Sequence, residues 1–336
     1  MATVTATFVN VMTRAAGLTL SEEGNLLHGD TIIHRLRKTS DDAILDQDYF
    51  DALDSIRRFH GDDLSLMRTY SALIKMDDLG VLGLAIKTAP DLRAALLVIQ
   101  RYFALVTDNV AYRFEETETQ ASLSIEEQIG VHPALQFRNE CALASFAHNM
   151  RNLTQDELQF DHVAFRHPCH GKPAAYADLF GCEVRFDAGR DALVMPLAAL
   201  DQPIRLGDNA VSSFLVTHLD EQIDQLQRTP SLVKELLQRV TKVLHHGLPQ
   251  ASEIAAAMGM SERTLYRRLA EEGLTYREIL QQAQTQLAHE LLTSSDRPIA
   301  EIAFLTGFAE QSAFSRAFKR WVGRAPAQYR QEMGNM

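Results

Sequence analysis

Ile254-Ala-Ala-Ala-Met-Gly-Met-Ser-Glu-Arg-Thr-Leu-Tyr-Arg-Arg-Leu269 returns further along the chain as Ile302-Ala-Phe-Leu-Thr-Gly-Phe-Ala-Glu-Gln-Ser-Ala-Phe-Ser-Arg-Ala-Phe318. Ile254-Ala255 and Gly259-Met260 recur 48 residues later as Ile302-Ala303 and Gly307-Phe308. Past the glycine the offset becomes 49, so that Leu265, Arg267 and Leu269 match Phe314, Arg316 and Phe318. Each copy reads as a helix, a turn at glycine and a second helix. The glycine admits a left-handed backbone, and Ser261 stands where a cap for the second helix belongs. The Ile-Ala pair and the later Leu or Phe residues face one another. This is helix-turn-helix logic, in which the second helix enters a major groove. The copies are expected over about 251–272 and 299–321.

Between them, Thr275–Leu292 carries Tyr276, Ile279, Leu280, Ala283, Leu287, Ala288 and Leu291 at helical spacing. Eighteen helical residues span about 27 Å at 1.5 Å each. With the offsets of the two second helices the reach is roughly 34 Å, one turn of duplex. One connector could thus hold two recognition helices in successive grooves, and a monomer would read two adjacent half-sites.

Upstream of the repeat, Ser231 is placed to cap a helix that runs to His246 and ends at Gly247 and Pro249, and Thr229-Pro230 breaks what precedes it. Val211, Leu215, Leu219, Ile223 and Leu226 form an apolar helical stripe that is either a dimer seam or a face packed on its own domain. The first 200 residues mix helix and strand. Helical spacing marks 6–16, 49–59, 91–105 and 134–149. Alternation marks Val110/Tyr112/Phe114 and Ala121/Leu123/Ile125, with the tract Glu115–Glu118 as the turn. Shorter strands are expected at Val163/Phe165, Val184/Phe186 and Leu193/Met195. The fold class is therefore an α+β N-terminal domain followed by an all-α domain with two helix-turn-helix motifs joined by a long helix. The divisions are 1–205, a linker helix and possible dimerisation element at 206–230, and 231–336.

Of the 336 residues, 46% are hydrophobic, enough for a sizeable core, and the formal net charge is −11. That charge is uneven. The residues from Thr229 onward hold 13 Lys/Arg against 11 Asp/Glu, leaving 20 against 33 in front. Arg263, Arg267, Arg268, Arg316, Lys319, Arg320 and Arg324 cluster within the tail, and a local basic surface binds phosphates whatever the total charge. No apolar run reaches the roughly 20 residues of a membrane span, and the start does not read as a secretory signal. Cys141, Cys169 and Cys182 are too few and scattered for a disulfide framework. A cytoplasmic location is expected.

The tail resembles the DNA-binding domain of AraC/XylS-type transcriptional regulators over about Ser231–Arg330. The resemblance rests on Met260–Leu269, Ile299-Ala-Glu-Ile-Ala-Phe-Leu-Thr-Gly-Phe308 and, most specifically, Phe314-Ser-Arg-Ala-Phe-Lys-Arg-Trp-Val-Gly-Arg-Ala-Pro-Ala-Gln-Tyr-Arg330. Gln284 stands where the family often has arginine, which implies the loss of an internal salt bridge. The front, about Thr5–Pro203, resembles the sensory domain of the subgroup with ornithine-utilisation and virulence regulators, through Phe165-Arg-His-Pro168 and Tyr176-Ala-Asp-Leu-Phe-Gly181. The resemblance implies a seven-helix DNA-binding domain. It also implies base contacts from Arg263, Tyr266 and Arg267 in the first motif and Gln311, Ser312 and Arg316 in the second. Arginine reads guanine, and glutamine can read adenine. Ser261, Thr264, Arg268, Lys319 and Arg320 are expected on phosphates; Leu265, Leu269, Phe314, Phe318 and Trp321 are expected in the core.

The implied partners are double-stranded DNA, a small organic effector, RNA polymerase if the protein activates, and a second copy if it dimerises. No membrane partner and no cofactor is expected. His167, Cys169, His170 and Cys182 lack the paired spacing of zinc sites. No glycine-rich phosphate loop, nucleophile elbow or His-Glu-x-x-His motif occurs. A zinc-held cysteine methyl acceptor, sometimes joined to this kind of tail, needs four cysteines. Catalysis is not expected. The rival reading is a DNA-binding protein whose front only dimerises or contacts another protein.

Overall fold

The computed structural model describes residues 3–36, 43–128, 132–154, 158–228, 232–295, 297–322 and 324–334. They form two compact units, one drawn from 2–128 and 133–228 and the other chiefly from 229–336. The break at Thr229-Pro230 and the cap at Ser231 lie outside the described residues.

The front unit is built on a five-stranded sheet in the order Val110–Glu116, Gln120–Glu127, Ala192–Pro196, His162–Ala164, Glu183–Arg185. The first two strands pair as a hairpin with Tyr112 opposite Ile125 and Phe114 opposite Leu123. Glu115 and Glu116 still belong to the strand, so the turn is shorter than the charged tract. The last two strands are parallel. Parallel neighbours need a crossover, supplied here by the helix Pro173–Phe180, which Gly181 stops in the left-handed region at φ +66°. Leu135–Leu153 packs against Asp63–Leu73, with Ala6–Ala15 and Asp46–His60 completing that side. Two small sheets pair Thr3–Thr5 with Ala43–Leu45, and join Thr19–Leu20, Asn25–His28 and Thr31–Arg35. In Gly80–Thr88, a Cβ on Gly83 would lie 1.6 Å from the Met76 carbonyl oxygen. Only glycine lets that helix approach so closely.

Asn209–Arg228, whose first amides are taken by the Asp208 carboxylate at 2.9 and 3.0 Å, belongs to this unit. Its Leu215, Leu219 and Ile223 are buried, and it packs on Gly80–Thr88 and Leu92–Tyr102. Leu215, Leu219 and Ile223, the middle of the apolar stripe, are thus a core face. What the helix leaves exposed is Val211 at 41% and Phe214 at 74%.

The described tail holds seven α-helices: Leu232–Val243, Ala251–Ala257, Glu262–Glu271, Tyr276–Ser294, Ile299–Leu305, Gln311–Val322 and Pro326–Gly334. Gly259 and Gly307 sit at φ +69° and +82°, the left-handed turn each motif requires. Leu232–Val243 braces the connector and the first motif, while Pro326–Gly334 braces the connector and the second. Ala288, Leu292, Ile302, Ala303, Phe314, Phe318 and Tyr329 form one buried cluster. Each such large side chain contributes about 1.5–3 kcal/mol on burial. Trp321 departs from the core expectation: it is only half-buried, its ring tilted against Phe308 at 5.9 Å with Arg320 over it. A residue near the end of its helix has core on one side only.

Candidate nucleic-acid interface and effector cavity

The first recognition helix, Glu262–Glu271, buries Leu265 and Leu269 completely and turns Arg263, Tyr266 and Arg267 outward. Positions three and four apart share a face, so these three project together, with Thr264 and Arg268 flanking. Ser261 accepts the Thr264 amide at 3.1 Å and lies 2.8 Å from the Thr264 hydroxyl. Its oxygen accepts in the cap, and its hydroxyl proton is left to donate to Thr264 or to an anion drawn by the helix dipole. Arg267 has one weak partner, Glu271 at 3.9 Å, both well exposed. Such pairs are worth about 0–1 kcal/mol, so the guanidinium is available to another acceptor.

The second recognition helix, Gln311–Val322, buries Phe314, Ala317 and Phe318 and exposes Gln311, Ser312, Arg316, Lys319 and Arg320. The Ser312 hydroxyl donates to Glu310 at 3.1 Å. The residues expected on bases thus lie on the outward faces, opposite the buried Leu and Phe residues that orient them.

The connector Tyr276–Ser294 begins with a capping box, Thr275 and Glu278 each bonding the other's backbone amide. The Tyr276 hydroxyl donates to the Pro249 carbonyl at 3.1 Å, tying the connector to the loop before the first motif, and burial pushes that phenol up to about 12. Near the middle of the connector Gln284, 6% exposed, donates to the Thr306 carbonyl at 2.8 Å, at the turn of the second motif. The glutamine that departs from the family pattern therefore satisfies a buried carbonyl. Both motifs are fastened to one rod.

In the front unit a mainly apolar cavity lies among Phe8, Met12, Leu53, Phe103 and Phe146, with Tyr49, Tyr70 and Tyr112 in its wall. Lys75 stands at its edge, and Arg138 and Asn109 in its interior. Burial pushes all three phenols upward, so they stay neutral and serve as hydrogen-bonding groups. Arg138 donates to Glu127 at 2.6 Å, and Asn139 bonds both Glu127 and Asp191. Sequence reading assigned none of these residues. The available signal was the polar run Arg138-Asn139-Glu140, buried inside a helix that reads as apolar.

The two front stretches that carry the family resemblance meet. Phe165, Tyr176, Phe180 and Phe186 form an aromatic cluster, and His167 and Tyr176 converge on Glu140. The Tyr176 hydroxyl donates to Glu140 Oε1 at 2.8 Å. His167 Nε2 lies 3.3 Å from the same oxygen but out of line for a hydrogen bond. Its Nδ1 sits 2.9 Å from the Pro168 carbonyl, which can only accept, so Nδ1 carries a proton. Burial pushes Glu140 up to about 7, against the lowering effect of the tyrosine bond. His170 stacks on His167 at 5.6 Å, and Cys169 donates to the Gly171 carbonyl at 3.3 Å. Among the described residues no three His, Cys, Asp or Glu side chains are grouped to hold a metal.

Two recognition helices on a rigid connector behind an α/β domain define a DNA-binding transcription regulator, and the chain belongs to the AraC family. Residues 44–204 match the arabinose-binding domain of AraC transcription regulators, and 254–332 match a helix-turn-helix domain. The chain is 30% identical over 257 residues to the ornithine utilization regulator of Pseudomonas aeruginosa, covering 75% of this chain and 74% of that one. It is 28% identical over 264 residues to the HTH-type transcriptional regulator VirS of Mycobacterium tuberculosis, covering 77% of each. The crystal structure of the transcriptional regulator CdpR from Pseudomonas aeruginosa matches 80% of this chain and 86% of its own at 23% identity, with a TM-score of 0.41. These relatives are regulators, and the protein is not an enzyme. Among the described residues no helix is long and apolar enough to cross a membrane.

Proposed function

We propose that this regulator is cytoplasmic and that a small organic metabolite, held in the front cavity, sets its affinity for an operator and lets it activate a neighbouring operon through RNA polymerase. Residues 1–205, extended by the helix to Arg228, sense the metabolite, and 231–336 read DNA. Arg263, Tyr266, Arg267, Gln311, Ser312 and Arg316 contact bases; Ser261, Thr264, Arg268, Lys319 and Arg320 hold phosphates and fix register. The observation that carries effector control is the cavity itself, polar groups converging in an otherwise apolar wall.

A route from the cavity to the last helix of the front unit is supported by adjacent residues. Phe103 lines the cavity, and the preceding Tyr102 donates to Asp220 at 2.6 Å on the Asn209–Arg228 helix. Arg101 reaches the same carboxylate at 2.6 Å. A ligand that moves Phe103 therefore acts on the last helix before the tail. It shifts the balance between states by its differential affinity for them. The exposed Phe214 and Val211 on that helix favour a homodimer contact there.

Fluorescence anisotropy with full-length protein and the promoter regions of adjacent genes, with and without a metabolite panel, tests the reading. A compound that raises the melting temperature and changes operator affinity supports it. Operator binding indifferent to every compound that stabilises the fold would favour a front unit that serves only for assembly.

A further inference from the structure

The wall of the front cavity is chemically one-sided. Arg138, 6% exposed, uses Nη2 on Glu127 and leaves Nε and Nη1 without partners among the described residues. Asn109, 2% exposed, leaves Nδ2 without one. Both residues line the cavity, and every unpartnered buried polar atom on its lining residues is a donor. Buried donors without acceptors are costly, so a ligand that supplies an acceptor there is favoured. Lys75 adds a second cation at the edge, its ammonium bonded to the Ala72 carbonyl at 2.6 Å, and among the described residues no Asp or Glu lines the cavity. Tyr49 and Tyr112 lie close enough to Arg138 to feel its charge.

On the reading that this cavity holds the effector, we infer that the effector is a small, mainly apolar monocarboxylate whose carboxylate is held by Arg138 and Asn109. Charge-assisted hydrogen bonds to a guanidinium are the strong ones. Glu127 already neutralises part of Arg138, which suits one negative charge and disfavours a phosphate dianion in so apolar a space. An amino acid would bring an ammonium for which this wall has no carboxylate. The body of the ligand packs on Phe8, Met12, Leu53, Phe103 and Phe146.

The test uses the full chain and three matched series: octanoate, benzoate and phenylacetate, their primary amides, and the corresponding amines. Thermal shift and calorimetry are expected to show binding of at least one carboxylate, with its amide about tenfold weaker. Asn109→Asp and Asn109→Leu should each weaken that carboxylate about tenfold, while binding to random DNA is unchanged. Because Arg138→Gln strands Glu127, it is paired with Glu127→Gln, and the double variant should lose the preference for carboxylate over amide. Equal binding of acid and amide, a preference for amines, or an unaltered Asn109→Asp variant would overturn the ligand class while leaving the effector reading standing. Failure of all three series to stabilise the protein would count against that reading as well as against this one.

Discussion

Replacing Glu140 with glutamine is expected to stabilise the front unit at pH 8 and to leave it nearly unchanged at pH 4. The carboxyl lies between helix Leu135–Leu153 and the stretch carrying His167 and Tyr176, with Arg57, Asp63 and His170 acting on it electrostatically. Burial raises it from the ordinary carboxyl value of 4.5 to about 7. Between these values the unfolded chain has released the proton and the folded chain still holds it, so stability falls as pH rises. The contribution is fully present below pH 4.5 and gone above about 7. At 1.36 kcal/mol per unit the loss is about 3 kcal/mol. Glutamine keeps an acceptor for the Tyr176 hydroxyl and carries no charge, so at pH 8 the variant should exceed the wild type by up to about that amount. The single tryptophan, Trp321, sits in the tail, so indole fluorescence does not follow this unit. Hydrogen exchange of the Leu135–Leu153 amides does, measured in both proteins from pH 5 to 8 after correction for intrinsic rates. Equal protection in variant and wild type at pH 8 would refute the reasoning.

Arg267→Ala and Arg316→Ala should each weaken operator binding by about 1–3 kcal/mol and relax base preference at different positions, whereas Lys319→Ala should weaken all sequences alike and lower the salt slope by about one. Equal losses on operator and random DNA would remove both arginines from base reading. Gln284→Leu strands the buried Thr306 carbonyl and should cost about 1–3 kcal/mol, seen as faster exchange in Gln311–Val322. Leu219→Glu puts a charge into the core beside Gly80–Thr88 and should unfold the front unit, read by circular dichroism. A folded variant with altered association would restore the seam reading.

The tail was legible because its signals repeat. The glycines, the Ile-Ala pairs and the Leu/Phe pairs recur at nearly one offset, and each has one physical reason. The hairpin Val110–Glu127 was legible for the same cause, an alternation long enough to have a phase. Gly80–Thr88 was not, since it is apolar almost all round and carries Gly83, which lowers helix preference, for the sake of its approach to Met76. Strands of two to five residues between Thr19 and Leu45 are too short to show a period. The cavity joins Phe8 to Asn149, and such separations leave no local trace in a sequence. The residues expected on bases are exposed on both recognition helices, while Trp321 reads as core in the sequence because aromatic identity outweighs its place near a helix end.

The connector has a consequence for the DNA it meets. With both motifs fastened to one rod by Tyr276 and Gln284, the distance and angle between them are set by the protein. One extra base pair between half-sites moves the second about 3.4 Å along the axis and turns it by roughly a tenth of a revolution. A rod cannot follow both changes, so an insertion disengages a whole motif, whereas a changed base costs about 1–3 kcal/mol. Operators under selection can then drift letter by letter in composition while their spacing stays fixed.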